Sequence, residues 1–213
     1  MGNKKNGNKR EVILHAARKL FAEKGYENTS VRQIVKQAGT SMGNLYFHFP
    51  NKQSMLKVIC KDYVNVLRNQ IYDIHQLGMR PEVGFAFDFR LGYITTLEHP
   101  RTSKFFAAAQ NIPEIHAYSL ENKKLRLKTF FSHLVSDDEI AYLAIAVQGI
   151  ADGIFDQKRQ GSLKEKSSVL SNTIIDFSLR LLGYSRIDIQ QALKEVDAEI
   201  AGRGIKVDKY FNL

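Results

Sequence analysis

The stretch that decides the fold is residues 16–56, AARKLFAEKGYENTSVRQIVKQAGTSMGNLYFHFPNKQSML. Its apolar residues recur three and four positions apart, which is the spacing of an amphipathic helix and not of a strand. Two glycines and a proline interrupt this spacing, at Gly25, Gly39 and Pro50. The pattern predicts a first helix over about residues 9–23, two short helices after it, and a stop at the proline.

The two short helices carry their own start signals. Ser30 and Gln33 have the spacing of a capping box at the start of the second helix, which Gly39 closes. Ser41 can cap the third helix, which we predict over residues 42–48. Two short helices joined by a three-residue turn that contains glycine are the outline of a helix-turn-helix.

The rest of the chain is also predicted to be helical. Asn51 caps a long fourth helix that runs through Ile74 and links the first three helices to the remainder of the chain. Beyond Gly78 the periodicity predicts longer helices, at about residues 82–98, 101–109, 114–134, 137–159, 163–183 and 186–201. No segment combines period-two alternation with hairpin turns, so the expected fold class is all-α.

Two of the later helices have wide faces of apolar and small residues. Their residues are Ile140, Leu143, Ala144, Val147, Ile150, Ala151 and Ile154, and then Leu170, Ile174, Phe177 and Leu181. A helix that is apolar over so much of its circumference is covered on more than one side. The pattern alone allows two interpretations, an interface with a second copy of the chain or burial in the chain's own core.

The charge of the chain is concentrated at its start. Residues 1–63 contain 12 Lys and Arg against 4 Asp and Glu, which is +8 of the total net charge of +9. This distribution favours a polyanion as the partner of the first third of the chain. A solubilising tail would explain the cations before Glu11, but three others lie within predicted helices or caps: Arg32, Lys36 and Lys52.

Several classes of protein are disfavoured by what the sequence lacks. No segment approaches the roughly 20 apolar residues of a membrane span, and the start lacks the apolar run of a signal peptide, so we expect a cytoplasmic protein. The sequence contains no His-Glu-x-x-His motif or phosphate loop, and its six histidines lack metal-ligand spacing. We therefore expect no enzyme, no cofactor and no metal site. The single cysteine, Cys60, lies among apolar residues, which favours a small buried thiol over a redox or catalytic role.

Residues 9–63 resemble the DNA-binding head of the TetR/AcrR family of bacterial regulators. The matching positions are an Ala-Ala-x-x-Leu-Phe helix, Gly25-Tyr26, Thr29-Ser30-Val31, Ile34, Ala38-Gly39, Gly43, Leu45-Tyr46, Phe49 and Lys52. The resemblance implies a three-helix helix-turn-helix head, joined by a long helix to a larger helical body that binds a ligand and dimerises. We accordingly divide the chain into a disordered basic tail at 1–8, a helix-turn-helix DNA-binding domain at 9–52 and an effector-binding and dimerisation domain at 53–213.

The resemblance also implies roles for residues around the third helix, which enters the major groove in such regulators. The residues expected to face the bases are Ser41, Met42, Asn44 and His48; those expected at phosphates are Tyr46, Lys52, Thr29, Ser30 and Arg32. Met42 and Asn44 depart from the residues frequent at their positions, which leaves the operator sequence open. The residues expected in the core are Leu45, Phe47 and Phe49.

Regulators that resemble this chain leave DNA when a small molecule enters the helical body. The candidate effector-binding residues are Phe89, Tyr93, Phe105, Asn111, His116, Gln148 and Asp152, chosen as polar groups within an aromatic lining. The body has no Gly-rich phosphate loop and has a nearly balanced charge. These features favour an apolar or aromatic effector over a sugar phosphate.

The expected partner is double-stranded DNA, bound by a homodimer. One short recognition helix reads few base pairs, so two copies related by a twofold axis would read a pseudo-palindromic operator, and the expected activity is repression. Two alternatives with the same fold remain, a transcriptional activator and a sequence-independent DNA-binding protein. The ratio of specific to non-specific affinity at one salt concentration separates the last of these from a regulator.

Overall fold

The computed structural model describes residues 3–97, 105, 108–109 and 112–203. Nine α-helices lie within these ranges, where no β-strand occurs, and this confirms the all-α fold class. The helices are α1 (Asn3–Lys24), α2 (Val31–Gln37), α3 (Met42–His48), α4 (Lys52–Gln76), α5 (Pro81–Leu97), α6 (Pro113–Phe131), α7 (Asp137–Arg159), α8 (Ser167–Leu181) and α9 (Arg186–Arg203).

The observed helix bounds agree best with the prediction where a side chain caps the helix. α2 and α3 start directly after their predicted capping serines, and α7 has the predicted bounds 137–159. α1 begins at Asn3 and not near residue 9, within the segment interpreted as a basic tail, because no proline interrupts the helix there. α8 begins at Ser167 and not near residue 163. Most of the helix predicted at 101–109 lies outside the described residues.

The described chain divides into two compact units. The first unit holds the residues up to Asn65 and the described residues between 99 and 117, whereas the second holds residues 66–97 and 118–203. The change of unit falls within α4, later than the predicted boundary after residue 52. The first turns of α4 belong to the first unit because they bury an apolar face there: Met55, Leu56 and Ile59.

In the core of the first unit, the helices α1, α2 and α3 all pack against one another. Their fully buried side chains include Ile13, Ala17, Phe21, Ile34 and Leu45. Gly39 ends α2 with a φ of +59°, a left-handed conformation that glycine adopts without a Cβ clash. The chain can therefore change direction between α2 and α3 within a very short turn.

Cys60 lies on α4 and is a free, buried thiol in the first unit. Burial raises the pKa of this thiol above its usual range, so the sulfur stays protonated at neutral pH. Reactive cysteines are partly exposed and lie in electropositive surroundings. The structure therefore supports the interpretation of Cys60 as a packing residue.

In the second unit α8 packs against three other helices and α5 against two. α5 packs against α8 and α9, and α8 also packs against α7 and α9. The buried aromatic residues of α5 are Phe85, Phe87, Phe89 and Tyr93. Among the described helices none is long and apolar enough to cross a membrane.

The two wide apolar faces predicted on α7 and α8 are mostly core. The residues of these faces that are buried in the second unit are Ile140, Ala144, Val147, Ala151, Leu170 and Ile174. Phe177 and Leu181 on α8 are exposed, and so are Tyr142 and Ile145 on α7 and Val169 on α8. An apolar surface therefore remains on these helices, but most of its residues differ from the predicted ones.

Candidate functional site

Capping serines define the starts of α2 and α3. Ser30 Oγ accepts a hydrogen bond from the Gln33 backbone N–H at 3.3 Å, and Gln33 Oε1 accepts from the Ser30 N–H at 2.8 Å. Ser41 Oγ accepts from the Asn44 N–H at 3.2 Å. Both predicted caps are confirmed, and each fixes the start of its own helix through local bonds worth about 1 kcal/mol.

One face of α3 is buried and the other is open to solvent. Leu45 and the adjacent Phe49 are buried, as predicted. Phe47 was expected in the core, but its side chain is 74% exposed, so that expectation is wrong. In a helix a residue two positions from a buried one lies about 200° around the axis, which places Phe47 opposite Leu45. Met42 and Tyr46 are exposed as well.

Asn44 is half-buried at the edge of this exposed face. Its side-chain Nδ2 donates to Thr40 Oγ1 at 2.7 Å. This bond fixes the plane of the amide and uses one of its two N–H groups. The group that is expected to read a base edge is thus oriented before any DNA is bound, which lowers the entropy lost on binding.

Thr29 does not have the surface position that a phosphate contact needs. Thr29 is only 1% exposed. Its hydroxyl donates to the Gly25 carbonyl at 2.8 Å and lies 3.3 Å from the Leu20 carbonyl. The side chain satisfies carbonyls left open at the end of α1. We therefore correct the assignment of Thr29 from a DNA contact to a residue that joins α1 to α2.

His48 is half-buried at the last position of α3. Its ring lies edge-on to Phe47 with the ring centroids 5.0 Å apart, and its Nε2 is buried with no hydrogen-bond partner among the described residues. The Nε2 edge of the ring is therefore closed to a base. Only the opposite edge can serve the role expected for His48.

Three cations on α2 and at the start of α4 differ in what holds them. Arg32 and Lys36 on α2 are exposed and form no ion pair in the described part of the chain. Lys52 Nζ donates to the Tyr26 carbonyl at 2.8 Å and lies 4.1 Å from the centroid of the Tyr26 ring. Lys52 thus holds the loop after α1 against the start of α4, a structural role that the sequence did not reveal.

A second group of polar residues is enclosed in the second unit. Ser119, Asn122, Lys123 and Arg126 follow one another on α6 at the i, i+3, i+4, i+7 spacing of a single helix face. Asn122 and Arg126 are buried, and the other two are half-buried. A buried polar stripe is unusual because such groups lose hydration unless they find partners. We call this stripe, with Asp88, Gln148 and Asp152, the polar cluster.

The strongest charge contact in the polar cluster joins α5 to α6. Arg126 Nε lies 3.1 Å from Asp88 Oδ2, and both side chains are almost completely buried. Burial raises the pKa of the Asp88 carboxyl to about 6, although the Arg126 guanidinium lowers it. At pH 7 this position therefore holds a buried ion pair.

Hydrogen bonds within α6 and within α7 join four of the other members of the polar cluster, and Ser119 links the two helices. Gln148 Nε2 donates to Asp152 Oδ2 at 2.6 Å, and Ser119 Oγ lies 3.5 Å from Gln148 Oε1. Lys123 Nζ donates to Ser119 Oγ at 3.3 Å. Burial, reinforced by the positive charge of Arg126, lowers the pKa of the Lys123 ammonium to about 8.

A stack of three aromatic rings adjoins the polar cluster. The ring centroids of Phe89 and Tyr93 are 4.2 Å apart, and those of Tyr93 and Phe155 are 4.8 Å apart. Burial raises the pKa of the Tyr93 hydroxyl, and the fields of Arg126 and Asp152 also act on it. The hydroxyl of the central ring therefore lies within the electrostatic reach of the polar cluster.

The structure brings only some of the predicted effector residues together. Phe89, Tyr93, Gln148 and Asp152 all belong to the second unit, where they form the stack and one side of the polar cluster. Phe105 and His116 belong to the first unit, and Asn111 lies outside the described residues. Sequence reasoning missed the contribution of α6, because a polar stripe at helical spacing normally indicates a solvent-facing side. No group of three potential metal ligands occurs among the residues that the structure describes.

Comparisons with known proteins identify the first unit. A family model described as "Bacterial regulatory proteins, tetR family" matches residues 13–59, which include α2 and α3. The HTH-type transcriptional repressor KstR2 of Rhodococcus jostii is 30% identical over 150 residues, which cover 69% of this chain and 68% of that protein. The HTH-type transcriptional regulator YuxN of Bacillus subtilis is 29% identical over 128 residues, which cover 60% of this chain but only 44% of YuxN.

Solved structures share the fold of most of the chain. The structure of RolR in complex with resorcinol has a TM-score of 0.71 at 18% identity and covers 89% of this chain and 95% of RolR. SmeT, the repressor of a Stenotrophomonas maltophilia multidrug efflux pump, has a TM-score of 0.64 at 18% identity and covers 80% of this chain and 88% of SmeT. The match to the family model and the identity with KstR2 show that the chain belongs to the tetR family of bacterial regulatory proteins.

Proposed function

We propose that this protein is a cytoplasmic transcriptional repressor and not an enzyme. It binds a pseudo-palindromic operator as a homodimer and is released by a small apolar or aromatic effector. The observation that carries the proposal is the exposed face of α3, which is formed by Met42, Tyr46 and Phe47 on a helix that Ser41 caps. A seven-residue helix with its inner side packed and its outer side open has the form of a recognition helix in the major groove.

The charges around α3 support DNA as the partner. Arg32 and Lys36 are exposed cations without carboxylate partners among the described residues, so their charge is available to phosphates. Asn44 has a fixed amide plane, and an amide can pair with an adenine edge through one acceptor and one donor. In this proposal the cations supply affinity and the face of α3 supplies preference among sequences.

The outer side of α7 and α8 supports a homodimer. Tyr142, Ile145, Gly149 and Gly153 form one stripe along α7, and a Cβ built on either glycine meets no atom within 4 Å. Phe177 on α8 is exposed too. Exposed large apolar groups beside glycines permit close approach of another helix, and a twofold dimer would cover the same surface on both copies.

The second unit supports an effector of aromatic character. It contains the three stacked rings and the polar cluster, and binding sites commonly combine apolar walls with a few polar groups. RolR, which shares this fold, has been crystallised with the aromatic compound resorcinol. SmeT, a second protein of the same fold, is a repressor. Both findings agree with a repressor that responds to a small aromatic molecule.

Selection from a random pool of DNA duplexes tests the proposal. We expect the purified chain at near-physiological salt to enrich one pseudo-palindrome with half-sites separated by about one helical turn, or 10 base pairs. The enriched operator, placed upstream of a reporter gene, should give lower expression when the protein is present. An unenriched pool would instead indicate sequence-independent binding, and higher reporter expression would indicate an activator.

Substitutions in α2 and α3 should have different effects on DNA binding. Replacing Arg32 by Ala should weaken binding to all duplexes alike and reduce the slope of log Kd against log salt by about 1, because one phosphate contact is lost. Replacing Asn44 by Ala should change preference at particular base pairs. Kd values for the operator and for single-base variants measure both effects. Lys194→Ala, on the exposed side of α9, is the control and should change neither. A uniform loss from Asn44→Ala would refute its assignment to base reading.

A further inference from the structure

Several atoms of the polar cluster are buried without a hydrogen bond. In the described part of the chain, Arg126 Nε and Nη2, Asn122 Oδ1 and Asp88 Oδ2 have no hydrogen-bond partner. Arg126 and Asp88 attract one another at 3.1 Å but are not aligned as donor and acceptor. Each such atom costs about 1–3 kcal/mol when it is left unsatisfied. Both unused donors and unused acceptors therefore lie on facing parts of α5 and α6.

The backbone of α5 approaches the Arg126 guanidinium at a glycine, Gly92. A Cβ built on Gly92 would lie 3.6 Å from Arg126 Nη2 and 3.7 Å from Nη1. Any side chain longer than that of alanine at this position would contact or cover the guanidinium. Glycine therefore places no side chain of its own against the buried cation.

The formal charges of the four ionisable members of the polar cluster cancel, and Arg159, a further cation that acts on Asp152, forms an ion pair with Asp156. Asp88 and Asp152 contribute two negative charges, and Lys123 and Arg126 contribute two positive charges. A neutral molecule leaves this balance intact, whereas a carboxylate or an amine leaves one uncompensated charge in a largely buried site. Burial of an unpaired charge is strongly unfavourable. The cluster thus favours a neutral ligand with polar groups.

The aromatic stack restricts the shape of such a ligand. Phe89, Tyr93 and Phe155 present flat rings in series, with centroids 4.2 and 4.8 Å apart. Stacked or edge-on contacts with another ring contribute about 0.5–1.5 kcal/mol beyond the burial of area. A planar ring gains from these contacts, and an aliphatic chain does not.

We propose that the polar cluster and the aromatic stack bind a neutral aromatic compound that carries hydroxyl groups. A hydroxyl group both donates and accepts, so it can donate to Asn122 Oδ1 or Asp88 Oδ2 and accept from Arg126. This assignment rests on the proposed function, because the bound compound is the effector of the regulator. It adds the chemical class of that effector and the residues that select it.

Calorimetric titration of the 213-residue chain tests the assignment with three probes that share one ring. Resorcinol has two hydroxyl groups, toluene has none, and benzoate has a negative charge. We expect resorcinol to bind at pH 7 with a Kd at least about tenfold lower than either of the others, since one additional hydrogen bond corresponds to roughly that factor. Equal or tighter binding of toluene or benzoate would overturn the assignment.

A charge substitution separates a binding role of the cluster from a structural one. Asp152→Asn keeps the shape of the side chain and an acceptor for Gln148, but it gives the cluster a net positive charge. The Kd ratio of benzoate to resorcinol should therefore fall about tenfold or more. Asp138→Asn, the same change at an exposed position of α7, should leave the ratio unchanged. An unchanged ratio in Asp152→Asn, with its melting temperature preserved, would contradict the assignment.

These titrations contain no DNA, so their outcome does not depend on whether the protein binds an operator. If none of the three probes binds, the assignment of a hydroxylated aromatic ligand is overturned. Operator selection is measured without ligand and would still identify a sequence-specific DNA-binding protein. Loss of operator selection with retained resorcinol binding would instead refute the proposed function and leave the binding site in place.

Discussion

Replacing Arg126 by methionine is expected to lower the free energy of unfolding by about 3–5 kcal/mol at pH 7. Methionine fills a similar volume but leaves the Asp88 carboxylate without a counter-charge, and that side chain is only 2% exposed. Denaturant unfolding at one fixed protein concentration measures the loss, because the stability of a dimer depends on concentration. A loss below about 1 kcal/mol would show that the pair contributes little to folding.

The pH dependence of this loss follows from the Asp88 carboxyl. Its pKa of about 6 in the folded chain lies above its value of about 3.9 in an unfolded chain, so protonation of this group favours folding. Without Arg126, which lowers the pKa, the folded value rises further. The variant therefore holds a neutral Asp88 at pH 5. Its loss of unfolding free energy relative to the unsubstituted chain should be smaller at pH 5 than at pH 7.

Arg90→Met provides a matched control. Arg90 on α5 is also buried, but its Nη1 bonds to Asp197 at 2.9 Å, and the Asp197 side chain is 62% exposed. When Arg90 is removed, water can solvate the carboxylate that remains. We expect a loss of about 1–2 kcal/mol, from hydrogen bonds and packing alone. If Arg90→Met lowered the free energy of unfolding as much as Arg126→Met, both losses would come from packing and not from an unpaired buried charge.

A charge on the outer stripe of α7 should abolish dimerisation and most of the affinity for the operator. Ile145 is exposed, so Ile145→Lys leaves the chain's own core intact but buries an ammonium if two copies meet there. A monomer binds one half-site without the linked second contact, and we expect the Kd for the operator to rise on the order of 100-fold. Sedimentation and operator titration measure the two effects.

The control for this surface is the same substitution on another helix. Ile187, at the start of α9, is among the most exposed apolar residues, and Ile187→Lys should leave both mass and affinity unchanged. A monomeric Ile145→Lys variant with full operator affinity would refute the link between dimerisation and binding. A variant that stays dimeric would place the interface elsewhere.

The sequence predicted the fold well where local chemistry decides it. Capping interactions act over three residues, so Ser30 with Gln33 and Ser41 before α3 define helix starts without knowledge of tertiary contacts. α8 has no side-chain cap at Lys166, and its start was predicted four residues too early. α1 likewise extends to Asn3, where no stop signal exists.

The candidate site was harder to predict because exposure depends on contacts between helices. Thr29 and Phe47 both lie in the helix-turn-helix, yet the first is buried and the second is exposed, the reverse of what was expected. A seven-residue helix contains too few residues to show its inner face by periodicity. The α6 stripe was visible as spacing, but its burial depends on α5 and α7, which the spacing does not encode.

The single thiol of the chain is a natural reporter of local opening. Cys60 is buried in the first unit and its pKa is raised, so a disulfide reagent reacts with it only in conformations where α4 has separated from its neighbours. The rate of modification under native conditions therefore measures the free energy of that opening. The chain contains no other cysteine, so no other thiol has to be removed before this measurement. It also contains no tryptophan, so its intrinsic fluorescence is weak and the thiol provides a second probe.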